Sequence, residues 1–452
     1  MQLTSLTFVM IVLPVLLLIY YLLPAKCRQI YLMLCSFFLY GWGSPGRVLY
    51  LAAFLCYDYG AGLLLEKCRS NQIACTGILA VSVLIQVSAM SFIRNTAENN
   101  FAFPFGISIY TLQGLSYLIG IYRKQHSATV RFSELALYLS FFPVLFAGAL
   151  FSFGEFAEQN RNQKLNVVSL SDGMSLFIQG MAEKVMLADT FGYIFRELRQ
   201  IAPENMSMLT AWLTTIVFSM YLYFELLGYS EMARGLGKCM GYELPRNFSH
   251  PFFASSISAF MLNWNITVVL WFETNFKRFL FRHYHQKWIE YGSFLLMWVL
   301  IGAWYGMKFQ FLLWGLVIGI LLMMDKLFLN AVIQKNYILG TIYTGIVPAF
   351  LWVLFFSDSL TEAGSYWKAM IGFGNGILDS SGIYFLVSYL ALILIGFYVA
   401  TDLFRNISER PTAQKIGQKF MLFKPVFHGL LFIFSLASML YGERSETLWL
   451  WL

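Results

Sequence analysis

The chain has 452 residues, of which 58% are apolar and only 12% are Asp, Glu, Lys or Arg, about half the roughly 25% charged fraction of a soluble domain. That composition excludes a water-soluble globule. The formal charge of +7 is too small and too scattered to imply nucleic acid as a partner, and the long, uniformly apolar runs exclude a β-barrel, whose strands alternate.

The runs Phe8 to Leu23, Val48 to Leu65, Ile73 to Phe92 and Ile338 to Phe356 have about the length of helix that crosses a ~30 Å hydrocarbon core. With about 20 residues per span, the chain accommodates about 11–13 membrane-inserted helices, some of them re-entrant, in an all-α polytopic protein whose surroundings are the lipid bilayer. No basic n-region precedes Phe8, so the first run reads as a span rather than a signal peptide. The opening spans fall at 7–23, 29–41, 47–65, 72–92 and 104–122. Loops after the first, third and fifth carry Lys26 and Arg28, Lys67 and Arg69, and Arg123, Lys124 and Arg131; the other two carry only Arg47 and Arg94. The positive-inside rule makes the richer set cytoplasmic and the N-terminus extracytoplasmic in the plasma membrane. Cys27, Cys35, Cys56, Cys68, Cys75 and Cys239 form no C-x-x-C pair, so they read as small core residues, with no metal site.

Later apolar segments fall at 135–151, 173–192, 208–228, 256–272, 291–304, 309–323, 338–356, 383–402 and 426–441. Several are too short or too polar to cross, so some are re-entrant or buried. The stretch around 256–272 holds Ser255, Ser256, Ser258, Asn263, Asn265 and Thr267, groups that hydrocarbon does not tolerate unless they face protein or a water-filled cavity. A charge at the bilayer centre costs at least ~2.5–3.5 kcal/mol, which singles out Asp58, Glu225, Glu231, Arg234 and Glu273. Glu231 and Arg234 share a helix face at three-residue spacing, either as a buried strut or as part of a polar tunnel wall; Glu273 fits a tunnel mouth or a surface. Among the histidines, His283 and His285 read as a headgroup-facing loop, His126 as interface, and His250, just before Pro251, as a helix cap. His428 opens the last apolar run. The clearest polar breaks are Asn160 to Asn166 and Asn406 to Lys419. No Ser/His/Asp order, P-loop or dinucleotide turn appears.

A set of motifs then runs along nearly the whole chain: Tyr20-Tyr21-Leu22-Leu23-Pro24; Ser36 to Gly43; Pro104-Phe105-Gly106-Ile107-Ser108 through Gln113; Phe141-Phe142-Pro143 with Ala147-Gly148; Gly180 with Lys184-Val185 and Ala188-Asp189; Gly228-Tyr229-Ser230 with Met232-Ala233 and Leu244-Pro245-Arg246-Asn247-Phe248; and Trp304 with Gly306, then Trp314-Gly315-Leu316 with Gly319. Together they resemble the membrane-bound O-acyltransferases, in particular their bacterial envelope-modifying branch. The resemblance implies one transmembrane domain over 1–452 built around a central tunnel, with N-terminal helices over 1–100, a core over 101–330 and C-terminal helices over 331–452.

It also implies acyl transfer from a cytoplasmic thioester donor, acyl-CoA or an acyl-carrier protein, to an extracytoplasmic polysaccharide or other envelope acceptor. No bound cofactor is implied. The expected partners are a cytoplasmic acyl-donor protein and an extracytoplasmic acyltransferase or polysaccharide-modifying protein. Family chemistry uses a tunnel histidine as general base, and this chain departs from the pattern at each such position: Asn265 after Trp264, Tyr305 after Trp304, and Ile318. Asn263, Glu225, Glu231 and Glu273 also differ from the family residue. By the resemblance, Tyr305 and Asn265 mark the catalytic positions, and Trp264, Asn263, Glu225, Glu231, Arg234, Glu273 and Trp304 line the tunnel. The alternative is a catalytically inactive homologue acting as a membrane scaffold or acyl conduit.

Overall fold

The structure, a computed structural model, describes residues 3–97, 104–147, 149–277, 286–329, 337–401 and 411–441. His283, His285, Gly148 and part of the 406–419 break lie outside them. Regular structure among the described residues is helical, without strands, and seven helices are long and apolar enough to cross a membrane. The chain divides into two compact units, Met1–Gly180 with Tyr229–Arg246, and Met181–Gly228 with Asn247–Leu452.

In the first unit, α1 (Phe8–Leu22) ends where Pro24 removes a backbone donor and forces its predecessor into extended geometry. It is followed by α2 (Ala25–Gly41), α3 (Gly46–Lys67), α4 (Gln72–Ala97) and α5 (Ile107–Tyr122). Only 28% of the apolar window of α4 is buried, whereas nearly every residue of α5 is, so α4 presents its side chains outward and α5 is packed within protein. Asp58 of α3 is fully buried and its Oδ1 accepts from Gln86 Nε2 of α4 at 2.7 Å. Its other oxygen lies so close to α5 that a Cβ on Gly114 would sit 2.1 Å from it.

The expected segment 135–151 is broken into α6 (Phe132–Ser140) and α7 (Phe142–Ala147). A short α8 (Phe153–Arg161) then begins at a reciprocal cap: Ser152 Oγ accepts from the Glu155 amide and Glu155 returns a bond to the Ser152 amide, satisfying two orphan donors of the first turn. Next come α9 (Val167–Ala182) and α11, which runs over Met208–Cys239. The last part of α11 crosses α9 at two glycines. A Cβ on Gly235 would meet the Gly173 carbonyl and the Phe177 amide, each at 2.5 Å, the close backbone approach that small residues permit in membranes.

In the second unit a π-wound turn (Glu183–Ala188) leads into the amphipathic α10 (Asp189–Arg199) and the start of α11. The polar segment at 256–272 is two short helices, α12 (Ile257–Leu262) and α13 (Ile266–Phe272). After them come α14 (Lys287–Tyr305), α15 (Phe309–Met324), α16 (Tyr337–Phe356), α17 (Leu360–Met370), α18 (Ser380–Val399) and α19 (Pro411–Tyr441). Helices α14 and α15 form a hairpin with almost no space between backbones: a Cβ on Gly302 would lie 2.2 Å from the Phe311 carbonyl oxygen, and one on Gly315 2.2 Å from that of Trp298.

Outside the spans, Arg199 bridges Glu362 and Asp358, and Asp379 caps α18. One carboxylate oxygen of Asp379 accepts from the Gly382 amide at 3.1 Å, Ser207 Oγ at 2.7 Å and Thr210 Oγ1 at 2.6 Å. Burial alone raises its pKa, but the Thr210, Ser207 and Gly382 donors outweigh it and hold the carboxyl below its ordinary value. A depressed folded-state pKa gives stability that is present above the unfolded value and disappears as pH falls through the folded one. Asp379→Ala is therefore expected to melt below the wild type at pH 7, with the gap closing below about pH 4. A gap unchanged between pH 7 and pH 3 in melts of the purified protein would remove the charge from the cap.

Two expectations are corrected here. Only Cys75 and Cys239 are buried, while Cys27 and Cys56 are exposed and Cys35 and Cys68 half-buried, all as free thiols. A bilayer reverses the meaning of an apolar position, since lipid-facing and core-facing surfaces are equally apolar. His250 adopts a left-handed conformation at φ 51° before the Pro251–Phe253 turn, but its side chain makes no capping bond.

Candidate functional site

The turn between α12 and α13 is a strained polar element of the second unit, braced by several hydrogen bonds. Its strain is local: Asn265 sits at φ 45°, ψ 49°, a left-handed conformation that Asn adopts more readily than other non-glycine residues. The preceding 247–249 strip braces it. The Ile266 amide donates to the Asn247 carbonyl at 2.8 Å, the Ser249 amide to the Asn263 carbonyl at 3.1 Å, and Thr267 Oγ1 to Asn247 Oδ1 at 2.5 Å. Asn247 and Ser249 thus act as a buckle for the next polar turn.

Held this way, Asn265 points Nδ2 at the phenol of Tyr305, 3.0 Å away. The Trp264 indole Nε1 donates to the same oxygen at 3.3 Å. All three residues are buried, at 7%, 3% and 0% exposure for Asn265, Tyr305 and Trp264. Tyr305 ends α14 at the closed hairpin, so the Gly302 and Gly315 contact fixes where its ring stands. Trp304, Trp314 and Phe355 pack edge-on against that ring at 5.1, 5.5 and 5.4 Å between centroids. Trp264 stacks on Phe260 at 5.7 Å and leans on Trp352 at 5.0 Å. Ile318, one helical turn beyond Trp314, is also buried. Two separate turns of chain therefore bring the substituted positions Asn265 and Tyr305 into one hydrogen bond inside an aromatic case.

Asn263 and Glu273 stand apart from that bond. Asn263 is half-buried and spends Nδ2 on the Ala259 carbonyl at 3.0 Å; Glu273 is half-buried at the start of a π-wound turn. Glu225 occupies a different centre in the same unit. Its Oε2 lies 2.7 Å from Lys184 Nζ, which also meets Asp189 Oδ1 at 2.5 Å. Lys184 is 2% exposed and Glu225 fully buried. In the sequence Lys184 stands only as part of the Gly180 to Asp189 motif, with nothing that ties it to Glu225. Glu231 and Arg234 belong to the first unit and form the expected pair, with Arg234 Nη1 at 2.6 and 2.5 Å from the two carboxylate oxygens. Among the described residues no three His, Cys, Asp or Glu side chains converge as a metal site would require.

The fold and these centres define a polytopic membrane protein with an enclosed amide–phenol–indole cluster where the Trp264, Trp304 and Trp314 blocks meet. The chain is homologous to the membrane-bound O-acyltransferases. It is 27% identical to the probable alginate O-acetylase AlgI of Pseudomonas aeruginosa, over 88% of this chain and 81% of that protein. It is 25% identical to the peptidoglycan O-acetyltransferase of Helicobacter pylori, over 82% and 79%, and 26% identical to the teichoic acid D-alanyltransferase of Bacillus subtilis, over 61% and 72%. No family model matches the chain.

Proposed function

We propose that this protein transfers an acyl group from a cytoplasmic thioester donor to a hydroxyl of an extracytoplasmic envelope polymer, with Tyr305, Asn265 and Trp264 orienting the thioester and a substrate or partner group taking the proton. The names of the relatives support the acceptor class, since each acts on alginate, peptidoglycan or teichoic acid. The observation that carries the site is the Tyr305 oxygen receiving both Asn265 and Trp264. A phenol oxygen that receives two donors keeps its own O–H as a donor, the chemistry of a group that polarises a carbonyl rather than a base. In the reaction the acceptor oxygen bonds to the acyl carbon, the C–S bond breaks, the thiol leaves, and the acceptor proton passes to a base other than these three side chains. Losing a resident base costs about 10²–10⁴ in rate, leaving catalysis by positioning. The richer Lys and Arg content of the Lys26, Lys67 and Arg123 loops supports a cytoplasmic side for them and an extracytoplasmic N-terminus.

A second reading, an inactive scaffold or acyl conduit, draws on the same closure, because Asn265 and Trp264 direct their donors to Tyr305 instead of to an open site. Acyl-thioester consumption by the purified protein, alone and with proteins encoded beside it, separates the two. Acceptor-dependent turnover that Tyr305→Phe lowers by about 10-fold or more is expected. No turnover with any partner and acceptor would favour the conduit.

A further inference from the structure

We propose that a polar cavity at the ends of α1 and α11, within the first unit, binds the headgroup of a zwitterionic, amine-bearing phospholipid of the phosphatidylethanolamine type. The cavity has a volume of ≈ 440 Å³ and its lining includes Glu158, Lys164, Asn166, Lys238, Tyr242 and Glu243, a size in the range of small-molecule sites. Its depth is fixed by two membrane helices. Tyr20 Oη donates to the Met240 carbonyl at 2.8 Å and Tyr21 Oη to that of Cys239 at 3.0 Å, so the end of an apolar helix is fastened to the end of a membrane span. Gln163 reaches both Tyr20 Oη, at 2.5 Å, and the Met240 carbonyl, at 2.7 Å, tying the cavity wall to that boundary. Tyr20 is fully buried, and the half-buried Tyr21 beside it is an aromatic of the kind that marks the level of lipid headgroups. Beside Asn166, Val167 and Val168 are 79% and 70% exposed, apolar surface at the rim where an acyl chain would leave the site.

The charges select the headgroup. Lys238 is paired with Asp172 at 3.0 Å, but among the described residues the Lys164 ammonium and the Glu158 and Glu243 carboxylates have no ion-pair partner, and they do not pair with one another. Opposite charges held apart in one cavity suit a ligand that carries a phosphate and a hydrogen-bonding ammonium. A glycerol headgroup brings no cation to the two carboxylates, and a choline has no N–H to give them. The walls are braced: Gln159 exchanges two hydrogen bonds with the Glu243 backbone, and Tyr242 Oη donates to Asn160 Oδ1 at 2.7 Å. Gly241, at φ +82°, lies so close that a Cβ there would stand 3.0 Å from Gln163 and 3.2 Å from Leu165, and its backbone conformation favours glycine.

Native mass spectrometry of the full-length, detergent-purified protein with matched-chain phosphatidylethanolamine, phosphatidylcholine and phosphatidylglycerol tests the assignment. Preferential retention of phosphatidylethanolamine is expected. Lys164→Ala and Glu243→Gln, both at exposed side chains, should each lower that retention about fivefold with the melting temperature unchanged, and Glu243→Gln should leave phosphatidylcholine retention unchanged. Equal retention of the three lipids, or retention insensitive to both substitutions, would overturn the site. Displacement by phosphoethanolamine without acyl chains, at the same concentration as the lipid, would overturn the lipid and leave a soluble zwitterion as the ligand.

Discussion

Lys184→Met is expected to destabilise the protein by ~3–5 kcal/mol, the cost of stranding buried charge when one partner of a pair is removed. The centre holds two carboxylates and one ammonium, and the ammonium is what each carboxylate touches. Removing it leaves Glu225, fully buried, and Asp189, 13% exposed, with their charges no longer offset by Lys184. Glu225→Leu should cost much less, because Lys184 keeps Asp189 at 2.5 Å while a buried carboxylate becomes a hydrocarbon side chain. The order of the two effects therefore identifies the lysine as the hub. In the Glu225→Leu background the further loss from Lys184→Met should shrink, since fewer charges are stranded; non-additivity of this kind is what contacting residues show. Melting temperatures of the detergent-solubilised variants read all three. Equal losses for the two single variants, adding simply in the double, would mean that the charges act independently and that water reaches them.

Which parts of this arrangement a sequence displays follows from how local each one is. The opening spans were legible because a continuous apolar run is a property of neighbouring residues, and the structure places helices at Ala25–Gly41, Gly46–Lys67 and Gln72–Ala97 near the expected limits. The Glu231–Arg234 pair was legible for the same reason, being a three-residue spacing on one helix. The ends were not. Helix α11 runs beyond Arg234 to Cys239, its charged last turns neutralised by Glu231 with Arg234 and by Lys238 with Asp172. Short amphipathic helices escaped a reading based on apolar runs, although the Ser-x-x-Glu signature stands at Ser152–Glu155 and again at Ser359–Glu362, where the Ser359 hydroxyl accepts from the Glu362 amide. Long-range polar contacts have no local signal at all. Nothing near Glu225 in sequence announces Lys184, and the bond from Asn265 to Tyr305 became visible only as two departures from one family pattern.

Restoring histidine at Tyr305 should raise acyl-thioester turnover by about 10²–10⁴, the usual contribution of a positioned general base, provided that the rest of the machinery persists. The attacking hydroxyl must lose its proton as the tetrahedral centre forms. An amide does not accept it, and a phenol, with an ordinary pKa near 10, is already protonated at neutral pH. Imidazole, near 6.5, is half ready at that pH. The surroundings favour the basic form, because Asn265 Nδ2 and Trp264 Nε1 already aim N–H donors at this point and a neutral ring nitrogen can receive one. The ring is also shorter than a phenol, so the space vacated by the hydroxyl is left for the acceptor oxygen. A base must be unprotonated to work, so the rate of Tyr305→His should rise with pH through the imidazole range, a signature that mere enlargement of the cavity would not give. Asn265→His added to it tests whether the second family position strengthens the first. Turnover that stays at the wild-type level in both variants, with melting temperatures intact, would mean that the pathway to this cluster is closed. Vigorous turnover in the unmodified protein, surviving both Tyr305→Phe and Asn265→Ala, would place the chemistry elsewhere in the chain.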